Sequence, residues 1–380
     1  MRIAFISTMA GFAWGGSEEL WVKTAELALK EGHQVMVVVY NWSELPPKIE
    51  ALVARGAHLY RRERRTVLPL SIRLYKKFYE NFITRNKLLK QLQRFFPNVI
   101  CISNGATYSS IFDVELTTAI TRLGSPYVNI SQFNEEHYNL HPSSFWSARS
   151  HLSKSSKALF VSERNLNTAR RQLATDLPNA VVVSNPLNIS TYTVVTPPIG
   201  TVINFASVAR LECRLKGQDI LLEILTSETW QTREWHLNLY GKGPDEVYLQ
   251  ELVRYFKLEK RVSFMGHVSD IRSVWRSNHL LLMPSIGEGT PLSLMEAMVC
   301  GRPAVVSDVG GNSELIIESV NGFLADAPSI RSFGAALERA WNQQHNWNDM
   351  GRKAHAISMQ KIDLYTEKTV LRYITDSVII

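Results

Sequence analysis

Short apolar, β-branched runs alternate with helical stretches along the whole chain, and that alternation leaves few folds open. The first forty residues run RIAFIS, AGFAWGGS, EELWVKTAELALKEG and HQVMVVVY, which reads as strand, glycine turn, helix and strand. Leu20, Trp21, Ala25, Leu27, Ala28 and Leu29 supply the apolar side of that helix, and Gly32 stops it before the next β-branched run. Two strands joined through a helix pair in parallel. PNVICISN, SPYVNIS, KALFVS and NAVVVSN continue the theme to about Pro186. A second series opens at TVINFASV and runs through WHLNLYGKGP, RVSFMGHV, HLLLMPS and PAVVSD, with helical segments between and after them. The expected architecture is α/β, with two Rossmann-like doubly wound domains in tandem.

The length of 380 residues is ample for two such cores. The segment NISTYTVVTPPIG, 188–200, has β-branched residues, two prolines and no helical period, and reads as the interdomain linker. The expected domains are therefore 1–190 and 200–360, with a C-terminal helix at about 362–380 packing back on the first. No apolar run reaches membrane-spanning length, and MRIAFIST reads as a buried first strand instead of a signal peptide, so the expected location is cytoplasmic. Cys101, Cys213 and Cys300 are odd in number and far apart, which suggests neither a disulfide framework nor a zinc site.

Charge is distributed unevenly. Between Lys48 and Arg94 thirteen Lys and Arg residues face only Glu50, Glu63 and Glu80, an excess of ten in a chain whose net charge is +7. A basic stretch of this kind points to an anionic acceptor, an anionic membrane surface, or both. Within LSIRLYKKFYENFITRNKLLKQLQRFF, 70–96, an apolar stripe including Leu74, Phe78 and Phe82 is interleaved with cations. A helix covering the first sheet with its cations in water is the favoured reading. Peripheral contact of 61–96 with the inner face of a membrane is the alternative. Nucleic acid is not an expected partner, because no recognition motif accompanies the charge.

Chemistry concentrates in PSIGEGTPLSLMEAMVCGRPAVVSDVGGNSEL, from Pro284 to Leu315. HLLLMPS is a strand, SIGEGT a polar loop at its carboxyl end, Pro291 suits a first helical turn, and LSLMEAM is the helix. Glu288 then sits in the loop and Glu296 in the second turn. Backbone N–H groups from Thr290 to Ser293 lie at the helix start, where a diphosphate would rest. Carboxylates suit sugar and ribose hydroxyls, since each accepts hydrogen bonds from vicinal O–H groups. A second cluster, VARLECRLKGQDIL, follows the first strand of the second half and supplies Arg210 and Lys216, cations suited to a departing diphosphate. No DxD pair stands in a suitable loop, so no metal is expected.

The run from Pro284 closely resembles the signature of retaining glycosyltransferase family 4, the E-x7-E motif of group 1 enzymes with the GT-B fold, and Arg210 to Gly217 resembles that family's R-x-x-x-x-x-K-G segment. The resemblance is strong over 200–325, moderate over the first forty residues and one of general layout over 45–150. It implies two Rossmann-like domains facing a central cleft, the acceptor on the first and the donor on the second. It implies a retaining, metal-independent transfer of a sugar from a UDP- or GDP-linked donor to a hydroxyl in glycan, polysaccharide or glycolipid synthesis. No cofactor beyond that co-substrate is expected. Glu288 would lie at the donor sugar, Glu296 at the nucleotide ribose, and Arg210 and Lys216 at the diphosphate. Gly289, Thr290, Pro291 and Leu292 complete the donor cradle. His267 and Val268 would border the base, Gly241 of the GKGP turn the nucleotide, and Gly16 the donor phosphate from the first domain.

Gly15 and Gly16, in WGGSEEL, permit close backbone approach, and Ser17 is placed to cap the following helix. Gly15 and Gln132 are expected on the acceptor or sugar side. Many family members have a histidine where SQFNEEH places Gln132, and glutamine cannot exchange a proton at neutral pH. That departure leaves the general base unassigned and keeps open a catalytically silent nucleotide-sugar-binding protein as the alternative function.

Overall fold

The computed structural model describes residues 1–63 and 86–378, and the chain divides into two compact units, Met1–Pro186 with Tyr365–Ile380, and Leu187–Leu364. Most of the basic stretch, residues 64–85, lies outside the described residues.

Among the described residues of the first unit seven strands form one parallel sheet: β1 (Arg2–Ser7), β2 (Gln34–Tyr40), β3 (His58–Arg62), β4 (Val99–Asn104), β5 (Tyr127–Ser131), β6 (Lys157–Phe160) and β7 (Ala180–Val182). Their spatial order is β3-β2-β1-β4-β5-β6-β7. Alternate residues serve opposite faces, as the two-residue period of a strand requires. Ile3, Phe5, Val35, Val37 and Cys101 pack on one side with Leu20, Ala25, Val370, Leu371 and Ile374. Ala4, Ile6, Met36, Val38 and Ile102 pack on the other with Leu88, Leu92, Leu116 and Ile120. The helix Thr366–Asp376 thus belongs to this unit, against the helix Glu19–Lys30.

The second unit holds six parallel strands, β8 (Ile203–Val208), β9 (Trp235–Tyr240), β10 (Val262–Gly266), β11 (Leu280–Met283), β12 (Ala304–Ser307) and β13 (Gly322–Ala325), ordered β10-β9-β8-β11-β12-β13. Leu280 and Leu282 face one apolar cluster, Leu281 and Met283 the other. In both sheets the strand order reverses beside the first strand, between β1 and β4 and between β8 and β11. Loops leaving such a pair at its carboxyl end diverge to opposite faces and open a crevice.

The segment expected as a linker is part of the second unit instead. Leu187, Ile189 and Val195 are buried in its apolar cluster, and Val195 N–H donates to Cys300 O. Arg302, only 2% exposed, fixes this segment. Its guanidinium donates to the carbonyls of Asn278, Val195 and Thr196 at 2.8, 2.8 and 2.9 Å, and also to those of Cys300, Gly301 and Trp275. The same side chain therefore satisfies carbonyls just past the helix Leu292–Val299.

Of the basic stretch, the described parts behave as structural elements. Leu88, Leu89 and Leu92 of the helix Lys87–Phe95 are buried while Lys87, Lys90 and Arg94 are exposed. Arg62 is internal: it pairs with Asp113, donates to Ser7 O at 3.0 Å and stacks over Tyr40. Among the described residues no helix is long and apolar enough to cross a membrane.

Two stability predictions follow from buried polar groups. Arg302→Met keeps side-chain bulk but strands several buried carbonyls, and should lower the unfolding free energy of the second unit by about 3 kcal/mol in urea titrations. His151, held by Asn129 Nδ2 at 2.9 Å and Ser110 Oγ at 3.2 Å, has its pKa pushed by burial from 6.5 down to about 4. The unfolded chain then takes up this proton first, so the contribution is complete above pH 6.5 and drains as pH falls from 6.5 toward 4, by at most about 3 kcal/mol. His151→Asn should flatten that part of the stability profile, measured by urea midpoints at stepped pH.

Candidate active site

The crevice between β8 and β11 gathers the chemistry-bearing residues of the second unit. After β8 the chain turns through Ala209–Glu212 into a single helical turn, Cys213–Lys216, and reverses at Gly217. Gly217 has φ +62°, and a Cβ there would come within 2.3 Å of Pro284 O at the end of β11. Only glycine tolerates both the backbone and the contact. The two loops are then laced together, with Ile286 N–H donating to Leu215 O at 2.9 Å. Gly310, φ +52°, plays the same part on the far side: a Cβ would lie 2.2 Å from Glu288 O, and Gly311 N–H donates to Gly289 O at 2.6 Å.

This packing brings Lys216 to Glu288. Lys216 Nζ donates to Glu288 Oε1 at 2.6 Å, and Ser285 Oγ donates to the same oxygen at 2.7 Å. Glu288 is buried at 7% exposure while the Lys216 side chain keeps 23%, so the pair has an inner and an outer end. An ammonium has three N–H donors and the carboxylate uses one of them, which leaves Lys216 able to hold a second anion. Ser285 follows β11 within the polar loop and was not singled out in the sequence, although its place beside Glu288 was a signal.

Glu296 lies on the helix Leu292–Val299, 3% exposed, and Oε1 accepts from Asn188 N–H at 3.2 Å. That contact ties the supposed linker to the signature helix, and Asn188 is a second residue the sequence did not nominate. Pro291 flanks the helix as its N-terminal cap, φ −72° and ψ 130°, outside the first turn. The N–H groups of Leu292, Ser293 and Leu294 precede the first i to i−4 acceptor and crowd positive dipole at the loop. Thr290 is buried next to them and Gly289 half-buried.

Arg210 is partly exposed beside Glu212, Nε to Oε2 3.5 Å, and its carbonyl accepts from Gln218 Nε2 at 2.8 Å. Gly241 packs its backbone on Ala209 O, so it shapes the Arg210 loop. His267 is exposed after β10, and Val268 rests half-buried on the apolar cluster of the second unit.

In the first unit Gly16 is exposed and starts a short 3-10 turn, Gly16–Glu18, while Gly15 lies against Phe12. Ser17 is not the cap: the turn moves the start of the helix to Glu19, with Glu18 at the capping position and no side-chain cap bond. Gln132 is buried at the end of β5, with Nε2 lacking a hydrogen-bond partner. Among the described residues, no three His, Cys, Asp or Glu side chains gather as metal ligands.

Residues 203–343 match the family described as glycosyl transferases group 1. The chain is similar to the lipopolysaccharide 1,6-galactosyltransferase of Salmonella typhimurium, 31% identical over 42% of this chain and 45% of that one. It is also similar to an Escherichia coli UDP-Gal:alpha-D-GlcNAc-diphosphoundecaprenol alpha-1,3-galactosyltransferase, 37% identical over 22% of this chain and 21% of the other. The matches span under half the length of these curated relatives. Over 99% of this chain and 100% of the other, the fold is that of Anabaena Alr3699/HepE, solved in complex with UDP and glucose, at 19% identity and a TM-score of 0.75. The E-x7-E helix and the lysine loop thus meet at the sheet's reversal point inside the stretch that matches the group 1 glycosyl transferases, in a chain whose fold is GT-B.

Proposed function

We propose that the chain transfers a sugar from a UDP- or GDP-linked donor to a hydroxyl acceptor, with retention of configuration and without a metal, in the synthesis of a polysaccharide or glycolipid. The observation that carries this reading is the Lys216–Glu288–Ser285 cluster beside the start of the helix Leu292–Val299. A diphosphate bound over that helix start meets backbone N–H donors on one side and the ammonium of Lys216 on the other. Arg210 adds a second cation from the same loop. These charges stabilise the negative charge that grows on the leaving diphosphate as the glycosidic bond lengthens, which is where electrostatic preorganisation accelerates a reaction. Glu288, anchored through Ser285 and Lys216, offers its carboxylate to sugar hydroxyls, and Glu296 offers its own to the ribose.

The Salmonella and E. coli relatives, both named as galactosyltransferases, support a glycan or lipid-linked acceptor. A lipid-linked acceptor would draw the protein to an anionic membrane surface, and the basic stretch 61–96 would supply the attraction from the cytoplasmic side.

Two measurements test the proposal. UDP or GDP, or one of their sugars, should raise the melting temperature of the chain, the stabilisation reaching about 2.7 kcal/mol at a hundredfold excess over Kd; bound sugar that is never transferred would favour the catalytically silent reading. Lys216→Ala should lower kcat/KM by about 100- to 1,000-fold. An unchanged kcat/KM removes Lys216 from the diphosphate site.

A further inference from the structure

A second polar site lies in the first unit, at the carboxyl ends of β1 and β2. A cavity of about 10 Å³ is lined there by Ser7, Met9, Glu18, Tyr40, Trp42 and Ile49, among others. That is the room one water-sized group occupies. Glu18 is 3% exposed, and its Oε1 is buried without a hydrogen-bond partner. Burial pushes its carboxyl up to about 7, against the opposing pull of the Ser7 hydroxyl and the Trp21 indole. At neutral pH the group is divided between acid and carboxylate and is able both to donate and to accept.

A buried polar atom without a match is costly, and here a water-sized cavity beside it leaves room for a partner. The surroundings restrict its chemistry. An anion is disfavoured by Glu18 itself and by Glu19, whose charge is one cause of the raised pKa. The neighbouring cations are already neutralised, Arg62 by Asp113 and Lys48 by Glu19, so neither calls for an anionic occupant. The volume and the protonatable carboxyl suit a small, uncharged group that hydrogen-bonds. The half-buried Tyr40 and Trp42 offer apolar ring surface to the body that bears it.

We propose that this cavity is an acceptor subsite in which Glu18 receives one hydroxyl of a pyranose sugar, with Tyr40 and Trp42 flanking the ring. This rests on the glycosyl-transfer reading and assigns part of its acceptor chemistry. Glu18 then selects the acceptor through one hydrogen bond and takes no part in breaking the donor bond. The hydrogen bond is made in the ground and transition states alike, so its loss weakens acceptor binding more than turnover.

The test uses the full chain labelled with 5-fluorotryptophan, its nine tryptophans resolved by ¹⁹F NMR and the Trp42 signal assigned from Trp42→Phe. The probes are the methyl α-pyranosides of glucose, galactose and mannose, with glycerol as the control for nonspecific effects. The expected result is a saturable shift of the Trp42 signal with at least one glycoside, weakened at least about fivefold in Glu18→Ala and largely kept in Glu18→Gln, which retains an acceptor oxygen. No saturable shift with any glycoside leaves a cavity that holds only water, and overturns the proposal. Equal affinity in Glu18→Ala and the parent overturns it too, with an unchanged near-ultraviolet spectrum certifying that the variant is folded. Melting shifts with UDP and GDP are recorded on the same samples and report the other unit. A Trp42 response without a nucleotide response sinks the donor reading alone, and the reverse sinks the Glu18 subsite alone.

Discussion

Lys216 and Glu288 are 72 residues apart, and their 2.6 Å contact exists because β8 and β11 are neighbours in a parallel sheet. The remainder of the candidate site depends on that adjacency. Parallel pairing sends both loops out at the same end of the sheet, and the reversal of strand order keeps a helix from filling the space between them. The loops must still come close enough for side chains to meet. Gly217 against Pro284 O and Gly310 against Glu288 O remove the Cβ atoms that would hold them apart. Backbone bonds from Ile286 to Leu215 and from Gly311 to Gly289 then lock the approach.

Once locked, the loop electrostatics are asymmetric in a useful way. Glu288 is nearly buried and satisfied by Ser285 and Lys216, so the carboxylate stays ordered at a fixed place. Lys216 is more exposed and retains donors for a ligand. A lone buried carboxylate would be costly, and a lone surface lysine would be mobile and strongly hydrated. Each residue thus corrects the defect of the other, and the pair presents a positioned cation beside the positive end of the helix Leu292–Val299. Arg302 secures the opposite end of that helix and pins 195–196 to it, so the element that offers N–H groups to a ligand is held at both termini.

Much of this was legible in the sequence. HLLLMPS, PAVVSD and VICISN are runs that only a strand covered on both faces would need, and β11, β12 and β4 are found there. The lysine loop and the E-x7-E helix were placed at strand ends by the same reading. What the sequence did not reveal were pairings between distant residues. It gave Lys216 and Glu288 separate duties, one toward phosphate and one toward sugar, because nothing in linear spacing says that the two charges neutralise each other first. The stretch 188–200 was read as a linker on its prolines and threonines, yet Ile189 and Val195 find an apolar cluster made by residues about a hundred positions later. Ser17 looked like a cap until the 3-10 turn displaced the helix start by one residue.

The same reasoning separates residues that hold a loop from residues that meet a ligand. Gly241, expected at the nucleotide, bears with its backbone on Ala209 O, so the shape of the Arg210 loop by itself accounts for a glycine there. Arg62 was counted in the basic stretch, but its charge is spent on Asp113 and the Ser7 carbonyl. Polar groups whose hydrogen-bonding capacity is used within the fold make weak candidates for recognition. Glu18 Oε1 and Gln132 Nε2 are buried polar atoms in the first unit without such a match. With the signature motifs in the second unit, buried polar atoms of this kind, where they border a cavity, are the places in the first unit still open to a hydrogen bond.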